Sequence, residues 1–287
     1  MRAPEAAYER GNGFFYCGDS LSLLQQVRDE AVDLIFADPP YNIAKADWDK
    51  FESQEAYIAW SMKWIREASR ILKKTGSLYI CGFSEILADL KHPSMRHFAS
   101  CRWLVWHYRN KANLGNDWGR SHESLLLLRK SKKFIMNIDD VRLPYNAHTL
   151  RYPSHPQAVT SQYGNGIKRN RWTPHPQGAK PKDVIEIPVT CNGMKEKTKH
   201  PTQKPEELLR RIILASSNPG DLVLDPFSGS GTTCVAAEQL NRRWVGFDLS
   251  PEYNALAIER IDNIEPKSVE EWIAFDRLNL NRREKIR

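Results

Sequence analysis

Two segments of the chain decide its fold: Val32-Asp-Leu-Ile-Phe-Ala-Asp-Pro-Pro-Tyr41 and Asp221-Leu-Val-Leu-Asp-Pro-Phe-Ser-Gly-Ser-Gly-Thr-Thr233. Each begins with a short apolar run and ends in turn-forming residues. Such runs are typical of strands that are buried on both faces of a parallel sheet. Because ligands of open α/β sheets bind beyond the carboxyl ends of the strands, both turns are predicted to border a ligand site.

The tetrapeptide at the end of the first segment has the groups needed to bind an amino group and a flat ring. Asp38 provides a carboxylate, and Pro39 provides a main-chain carbonyl that Pro40 biases toward an extended conformation. Tyr41 provides a ring on which a flipped base can stack. Two acceptors at an amino group stabilise the positive charge that develops when its nitrogen attacks a methyl donor. These four residues are therefore candidate catalytic residues, although the tetrapeptide alone is equally consistent with a strand-ending turn.

The second segment supplies a glycine-rich turn between a strand and a helix. Gly229 and Gly231 allow a ligand to approach the backbone, and the helical pattern over 232–240 presents its N-terminus to a polar group. The turn lacks the Gly-Lys-Ser/Thr of a P-loop and the third glycine of a dinucleotide fingerprint. Asp248 ends the next predicted strand, where an acid suits ribose hydroxyl groups. It could also help to begin the helix after Ser250-Pro251.

Strands and helices alternate along most of the chain, which predicts a mainly parallel, doubly wound α/β sheet. Strands are predicted at 14–16, 33–37, 77–81, 103–108, 124–128, 184–187, 221–224 and 244–248. Helices are predicted at 21–28, 54–72, 85–91, 205–217 and 232–240, with a further helix that ends near 261.

In combination, the motifs resemble those of the β-class amino-methyltransferases of DNA, a family that includes many bacterial restriction-modification methylases. The resemblance covers residues 13–262, in the family's permuted order, with the catalytic tetrapeptide ahead of the cofactor turn. The matching segments are 17–21, 38–42, 60–64, 70–77, 122–123, 200–205, 225–233 and 246–248. The resemblance implies a Rossmann-like methyltransferase sheet in circularly permuted order.

The resemblance also implies S-adenosylmethionine as the cofactor and a set of residues that bind it. These are Asp225, Phe227, Gly229 and Gly231 in the turn around the cofactor, Asp248 at its ribose, Asp19 near its adenine, and His200, Thr202 and Lys204 in the segment where the family binds the methionine carboxylate. A lysine suits that carboxylate because it is a compact cation. The segment 200–205 could instead be a rigid loop that caps the following helix.

The implied reaction is methyl transfer to the exocyclic N6 of adenine in double-stranded DNA, by base flipping and direct attack. Asp at position 38 favours adenine, because N4-cytosine members of the family more often have Ser there; N4-cytosine methylation is the alternative. Methyltransferases of RNA bases or protein glutamine more typically begin the tetrapeptide with Asn. A cytosine-C5 methylase would need a Pro-Cys dipeptide, which the chain lacks. A binding protein without catalytic activity, such as an inactive specificity module or a nicotinamide-binding protein, would require the match of the tetrapeptide to be accidental.

The excess of basic residues in the composition favours a polyanionic binding partner. The 287 residues include 42 Lys and Arg against 35 Asp and Glu, which gives a net charge of +7. Five dispersed cysteines form no Cys-x-x-Cys pair, so we expect neither a metal site nor a disulfide framework. No stretch is long enough to span a membrane, and the N-terminus does not read as a signal peptide. We expect one catalytic domain over residues 1–287 in the bacterial cytoplasm, without membrane attachment. A companion restriction endonuclease and a homodimer are possible further partners.

The segment 141–182 breaks the alternation of strands and helices. No acidic residue lies between Asp140 and Asp183, and basic and aromatic residues are interleaved there. Long irregular segments in compact domains are usually functional or disordered, and cations can neutralise phosphates. We predict an inserted target-recognition region with the candidate DNA-binding residues Arg142, Arg151, Lys168, Arg169, Arg171 and Lys180. The basic C-terminal tail, 264–287, is either a further DNA contact or a solvated helix end.

Overall fold

The computed structural model describes residues 6–43, 49–111, 116–153 and 173–285. Its strands are β1 (Tyr8–Arg10), β2 (Gly13–Cys17), β3 (Val32–Ala37), β4 (Leu72–Gly82), β5 (Ser100–His107), β6 (His122–Arg129), β7 (Val184–Glu186), β8 (Leu222–Asp225) and β9 (Arg243–Asp248). Its helices are α1 (Ser20–Leu24), α2 (Gln54–Ile71), α3 (Ser84–Ser94), α4 (Ala147–Arg151), α5 (Glu206–Ser216), α6 (Thr232–Gln239), α7 (Pro251–Asp262) and α8 (Val269–Lys285).

The strands form one sheet in the order β1-β2-β9-β8-β3-β4-β6-β5-β7. The run from β2 to β4 is parallel throughout. Antiparallel pairing is confined to β1 with β2 and to β6 with its two neighbours, while β7 is parallel to β5. The prediction of a mainly parallel, doubly wound sheet is confirmed.

The two motif segments meet in the middle of this sheet. Strands β3 and β8 are neighbours, with Leu34 opposite Val223 and Ile35 opposite Leu224. From β3 the chain continues through α2 to β4 on one side, and from β8 it continues through α6 to β9 on the other. This divergence is a topological switch point, where open α/β sheets bind their ligands beyond the carboxyl ends of the strands.

A hydrophobic core on each face fixes the strands in place. One core contains residues of α1, α2 and α3, and the other contains residues of α5, α6, α7 and α8. Every residue of β3 is buried, as expected for a strand that is covered on both faces. Burial of each large apolar side chain contributes about 1.5–3 kcal/mol. The carboxyl end of β3 is therefore a rigid support for the tetrapeptide that follows it.

The structure differs from the sequence-based assignment at several boundaries. Strand β4 begins at Leu72, directly after α2, although Lys73-Lys-Thr-Gly76 resembles a turn. Lys73 Nζ donates to Asp33 Oδ2 over 2.8 Å, which ties the beginning of β4 to β3. Helix α1 is shorter than predicted, and β1 and α4 were not predicted.

The C-terminal segment 264–287 contains α8, which packs against α5. Arg210 Nη2 donates to Asp276 Oδ1 over 2.7 Å, and Arg283 Nη1 donates to Glu207 Oε2 over 2.9 Å. The segment therefore contributes one acid, Asp276, and one cation, Arg283, to ion pairs with α5. Within the described ranges, no helix combines the length and the apolar character that a membrane span requires.

Candidate active site

The carboxyl ends of β3 and β8 open into a cavity of about 630 Å³. This volume lies within the range of about 300–1,000 Å³ that is usual for small-molecule sites. The predicted site residues that line it are Asp19, Asp38, Pro40, His200, Thr202, Lys204, Asp225, Phe227, Gly229 and Asp248. The fold therefore brings side chains from separate sequence motifs to a single cavity.

Asp38 is held by two donors at the end of β3. Lys204 Nζ donates to Asp38 Oδ2 over 2.5 Å, and Tyr41 Oη donates to Asp38 Oδ1 over 2.5 Å. A carboxylate has about four acceptor positions, so both bonds can coexist with a further one to a ligand. Since Asp38 also lines the cavity, its carboxylate is available to a donor that enters there.

Glu123 and Cys81 complete this group. Glu123, near the beginning of β6, accepts from Tyr41 Oη over 3.3 Å through Oε2, which lies 3.6 Å from Lys204 Nζ. Cys81 Sγ donates to the same Oε2 over 3.6 Å. Neither residue was predicted as part of the site, although His122-Glu123 is among the motif matches. The match at His122-Glu123, which leads a predicted strand, was the sequence signal that could have identified Glu123.

The charges of this group are coupled. Burial raises the pKa of the Asp38 carboxyl above its ordinary value, the Lys204 ammonium opposes this, and Glu123 reinforces it. Burial lowers the pKa of Lys204, but the carboxylates of Asp38 and Glu123 outweigh burial and raise it above its ordinary value. Burial, together with Asp38, raises the pKa of Tyr41 well above its ordinary value. Lys204 is therefore a cation and Tyr41 a neutral donor at pH 7.

Asp49 fixes the backbone that leaves the tetrapeptide. This buried carboxylate accepts from the N–H groups of Tyr41 over 2.6 Å, Asn42 over 2.7 Å and Ile43 over 3.2 Å. Asn42 Oδ1 in turn accepts from the N–H of Phe51 over 3.0 Å. Three main-chain bonds to one side chain thus fix the backbone that carries Tyr41, whose ring is not among the side chains that line the cavity.

Asp225 shapes the beginning of the glycine-rich turn. Its Oδ1 accepts from the N–H of Phe227 over 3.0 Å, and its Oδ2 accepts from the hydroxyl of Thr233. Burial raises the pKa of Asp225 to about 7, against the opposing effect of these two bonds. The Phe227 ring packs against α2, with its centroid 5.3 Å from that of Trp64 and 5.8 Å from that of Trp60. The turn therefore has a polar base and an aromatic wall.

Asp248 joins the same turn to α7. Its Oδ2 accepts from the N–H of Gly229 over 2.8 Å, and its Oδ1 accepts from the N–H of Ser250, the N-cap of α7, over 2.8 Å. Both interpretations of this acid are compatible with its position, because each oxygen retains acceptor capacity toward the cavity.

The two glycines of the turn are required by the protein itself. Gly229 and Gly231 have φ values of +49° and +72°, in the left-handed region that favours glycine. A Cβ atom at Gly231 would lie 2.6 Å from Cβ of Ala257, and one at Gly229 would lie 2.8 Å from Nε2 of His200. Both glycines were predicted from ligand approach, whereas the neighbours Ala257 and His200 already restrict a side chain at these two positions.

His200 stands beside this turn as a neutral ring. Its Nδ1 accepts from the N–H of Thr202 over 3.3 Å, so Nε2 carries the proton of the neutral tautomer. Burial, together with the neighbouring cations Lys204 and Lys197, lowers the pKa of His200 to about 4. The ring packs edge-on against Tyr253, with centroids 4.5 Å apart.

Asp19 and Lys204 both have structural partners in addition to their places in the cavity. Asp19 is the N-cap of α1, and its Oδ1 accepts from the N–H of Ser22 over 2.9 Å. Lys204 faces Asp38, so its predicted role at the methionine carboxylate would require it to share its ammonium between the two carboxylates. These roles at the cofactor stay predictions.

Arg260, on α7, contacts the glycine-rich turn and was not predicted as a residue of the site. Its Nη1 donates to the carbonyl of Ser230 over 2.7 Å and to Thr232 Oγ1 over 2.9 Å, and its Nη2 donates to Glu206 Oε1 over 2.7 Å. It links the turn to the beginning of α5. No motif in the sequence pointed to it.

The three candidate DNA-binding residues that the structure describes, Arg142, Arg151 and Lys180, are not among the residues that line the cavity. Arg142 is only 10% exposed, because its guanidinium bonds Asp139 over 2.7 Å and the carbonyl of Gly178 over 2.8 Å. Arg151, at the end of α4, and Lys180 are exposed, and Lys180 borders a second cavity of about 430 Å³. The remaining candidates, Lys168, Arg169 and Arg171, lie outside the described residues.

Known proteins are similar to this chain in sequence and in fold. The sequence model of a DNA methylase family matches residues 32–259. The type II methyltransferase M1.MboII of Moraxella bovis is 35% identical over 240 residues, which are 80% of this chain and 89% of that protein. The DNA adenine methyltransferase YhdJ of Escherichia coli (strain K12) is 35% identical over 258 residues, which are 88% of this chain and 84% of that protein.

Solved structures show the same architecture. The PvuII DNA methyltransferase (cytosine-N4-specific) superposes with a TM-score of 0.68 at 20% identity, over 96% of this chain and 95% of that one. M1.HpyAVI in complex with SAM superposes with a TM-score of 0.55 at 23% identity, over 86% of this chain and 98% of that one. Because the family match spans both motif segments that meet at the switch point, the chain belongs to this DNA methylase family.

Proposed function

We propose that this protein transfers a methyl group from S-adenosylmethionine to the exocyclic N6 of adenine in double-stranded DNA. The observation that carries the proposal is that the Asp38 carboxylate and the glycine-rich turn after β8 line one cavity. YhdJ, a relative 35% identical to this chain, is named a DNA adenine methyltransferase, and that name supports adenine as the target. Methylation of cytosine at N4, which is named for the PvuII enzyme, is the alternative.

The residues around the turn fit S-adenosylmethionine. The cavity has an aromatic wall at Phe227, which suits the adenine ring, and acceptor oxygens at Asp248, which suit the ribose hydroxyl groups. The buried hydroxyl of Ser228 lines the cavity and has no hydrogen-bond partner within the described part of the chain. An unpartnered buried polar atom is unfavourable, so a polar ligand group there would stabilise the site. When bound, S-adenosylmethionine would supply an electrophilic methyl group.

The amino group of the target base would be bound by Asp38 and by the main-chain carbonyl of Pro39. One N–H would donate to the Asp38 carboxylate and the other to that carbonyl. Both acceptors stabilise the positive charge that develops on the nitrogen as its lone pair takes the methyl group and the S–CH3 bond breaks, so they bind the transition state better than the ground state. The methylated nitrogen would then release one of its N–H protons. Lys204 favours the ionised form of Asp38, and Tyr41 orients it through Oδ1.

Replacement of Asp38 tests this function. Asp38→Ala and the nearly isosteric Asp38→Asn are incubated with labelled S-adenosylmethionine and a DNA duplex, and the labelled nucleoside is identified by chromatography. We expect N6-methyladenine from the wild type and a loss of about 100-fold or more in both variants, the size seen when one preorganised polar group is removed. Cofactor affinity, measured by calorimetry, should be largely preserved.

Asp89→Ala provides the matched control, because it removes an exposed carboxylate from α3 and should leave activity unchanged. Methylation of RNA or protein alone, or product that is N4-methylcytosine, would contradict the assigned substrate. Near-normal turnover by folded Asp38→Ala would remove the mechanism.

We further propose that the enzyme acts in the bacterial cytoplasm alongside a companion restriction endonuclease, and that it forms a homodimer. The relatives named type II methyltransferases support the first part of this proposal. Modification-sensitive sequencing of host DNA, with and without the gene, would report the methylated base and its sequence context. Sedimentation analysis with and without DNA would report the oligomeric state.

A further inference from the structure

Trp118 is the most exposed of the described tryptophans. Its side chain is 99% exposed, whereas the others in the described ranges are buried or half-buried. An indole has a large flat apolar surface and gains strongly from contact with a partner. Full exposure of such a side chain is therefore a reason to look for a ligand that covers it.

The position of Trp118 in the fold places it at the active-site edge of the sheet. It lies between β5 and β6, and β6 is antiparallel to both β4 and β5, so β5 ends at the same edge as β4. The N–H of Tyr108 donates to the carbonyl of Ser121 over 2.8 Å and closes the base of this connection. Glu123, which follows it, bonds the hydroxyl of Tyr41.

A row of side chains in contact connects this segment with Tyr41: a guanidinium over a ring, and that ring edge-on to the tyrosine. The guanidinium carbon of Arg120 lies 3.7 Å from the centroid of the Phe83 ring, and that ring lies 5.0 Å from the Tyr41 ring. Arg120 also bonds Glu85 over 3.4 Å. Trp118, two residues before Arg120, is thus attached to a backbone that is anchored next to the catalytic group.

The connection that carries Trp118 is basic in sequence. Its described residues include the cations Arg109, Lys111 and Arg120 and a single acid, Asp117. Arg109 is paired with Glu186 over 3.2 Å and Arg120 with Glu85 over 3.4 Å, and both pairs are partly exposed, where ion pairs contribute little. Basic side chains that flank an exposed aromatic ring are a combination that binds nucleic acid, since the cations contact phosphates and the ring stacks on bases.

We propose that Trp118 inserts into the DNA duplex beside the target adenine and fills the space that the adenine leaves when it rotates into the cavity. This inference rests on the proposed function, which requires the target base to leave the helix. Removal of a base from the stack is unfavourable, and an inserted apolar side chain compensates for part of the lost stacking. Tyr41 would contact the flipped base, while Trp118 would occupy its former place.

The experiment compares Trp118→Ala, Trp118→Phe and the wild type on two duplexes. In one, the target adenine is paired with thymine; in the other, it faces an abasic position, where flipping requires less energy. Base–aromatic stacking is worth about 1–3 kcal/mol, so kcat/KM of Trp118→Ala on the paired duplex should fall about 5- to 150-fold. Trp118→Phe should retain most of the activity. On the abasic duplex, Trp118→Ala should approach the wild type.

Two further measurements separate insertion from a general defect. With 2-aminopurine at the target position, the rise in fluorescence on enzyme binding should be smaller for Trp118→Ala than for the wild type. Thermal stability and cofactor affinity should be unchanged, because the side chain is exposed. Met95→Ala, which shortens a 37% exposed side chain at the C-terminal end of α3, is the matched control and should behave as the wild type.

Equal losses on the paired and the abasic duplex would overturn insertion and make Trp118 an ordinary DNA contact. Unchanged kcat/KM on both duplexes would overturn any role in DNA binding and would leave a protein partner to cover the indole. Failure of the wild type to methylate either duplex would refute the proposed function itself, so the two failures are distinguishable.

Discussion

The ammonium group of Lys204 donates to Asp38 Oδ2 over 2.5 Å, although the two residues are separated by 166 positions in the chain. Both side chains are largely withdrawn from water, so each depends on the other for compensation of its charge. Glu123, with Oε2 at 3.6 Å from Lys204 Nζ, is a second carboxylate at the same ammonium group. The charge of Asp38 therefore depends on one neighbouring cation and one neighbouring anion, and each can be removed separately.

Lys204→Gln should move the acid limb of the kcat–pH profile to higher pH. Activity requires ionised Asp38, so it is lost as pH falls through the pKa of this carboxyl. Lys204 lowers that pKa, and without it the effect of burial, which raises the pKa, is less opposed. Lys73→Gln, which removes an ammonium group 2.8 Å from Asp33 near the other end of β3, should leave the limb unchanged. A large loss of cofactor affinity with no shift of the limb would instead assign Lys204 to the methionine carboxylate.

Glu123→Gln should move the same acid limb in the opposite direction. Glu123 is an anion beside Asp38 and raises its pKa, so neutralisation of Glu123 lowers that pKa and extends activity to lower pH. The amide preserves the size of the side chain, and the expected shift is therefore electrostatic in origin. Steady-state kcat across the acidic range is the measurement. A shift to higher pH, or coincident profiles for the wild type and the variant, would show that Glu123 does not act on Asp38.

Strand assignments from the sequence were accurate where an apolar run is continuous. The predicted strands at 33–37 and 244–248 correspond to β3 and β9, because both are covered on two faces and need no polar alternation. The beginning of β4 was missed, since Lys73-Lys-Thr-Gly76 resembles a turn in isolation. Leu72 pairs with Val32 and Ser77 pairs with Leu34, so residues 73–76 form an irregularity between two paired positions, which the bond from Lys73 to Asp33 ties to β3. Local sequence does not encode these long-range contacts.

The site was predicted to the extent that its residues lie in compact motifs. Two motifs each occupy a few consecutive positions: the tetrapeptide that begins with Asp38 and the turn that begins with Asp225. Their chemistry can therefore be inferred from the sequence. Glu123 and Arg260 act across long separations, on Tyr41 and on Ser230, and only the fold brings them into range. The pairing of Lys204 with Asp38 was missed for the same reason.

Alanine substitutions at the two glycines of the turn should have different consequences. Gly231→Ala places its Cβ 2.6 Å from Cβ of Ala257, so we expect about 1–3 kcal/mol of destabilisation from overpacking, plus about 1 kcal/mol from the left-handed backbone. Gly229→Ala meets the His200 ring, a side chain that can rotate, and should mainly weaken cofactor binding. Denaturant unfolding and calorimetric titration measure the two effects.

Gly220→Ala is the control for the destabilisation that a left-handed backbone alone causes. Gly220 has a φ of +80°, and its added Cβ would have no neighbour within 4 Å. The double variant Gly229→Ala/His200→Ala should recover part of the stability lost in Gly229→Ala, since the clash is removed. Destabilisation by Gly231→Ala no greater than that by Gly220→Ala would show that the contact with Ala257 is unimportant.

Combined replacement of Lys168, Arg169 and Arg171 by Gln should weaken DNA binding if the acid-free segment contacts phosphates. Each lost phosphate contact lowers the slope of log K against log salt by about 0.9, so the loss of three contacts predicts a decrease of about 2.7. If the residues read bases instead, discrimination against altered sites should fall by about 1–3 kcal/mol per contact, with less change in slope. Cofactor affinity should be preserved in either case.

Replacement of the exposed cations Lys63, Arg66 and Lys74, on and after α2, is the charge-matched control. Unchanged affinity, slope and sequence preference would move recognition out of the acid-free segment, and 109–133 and the tail 264–287 would be the next basic segments to test.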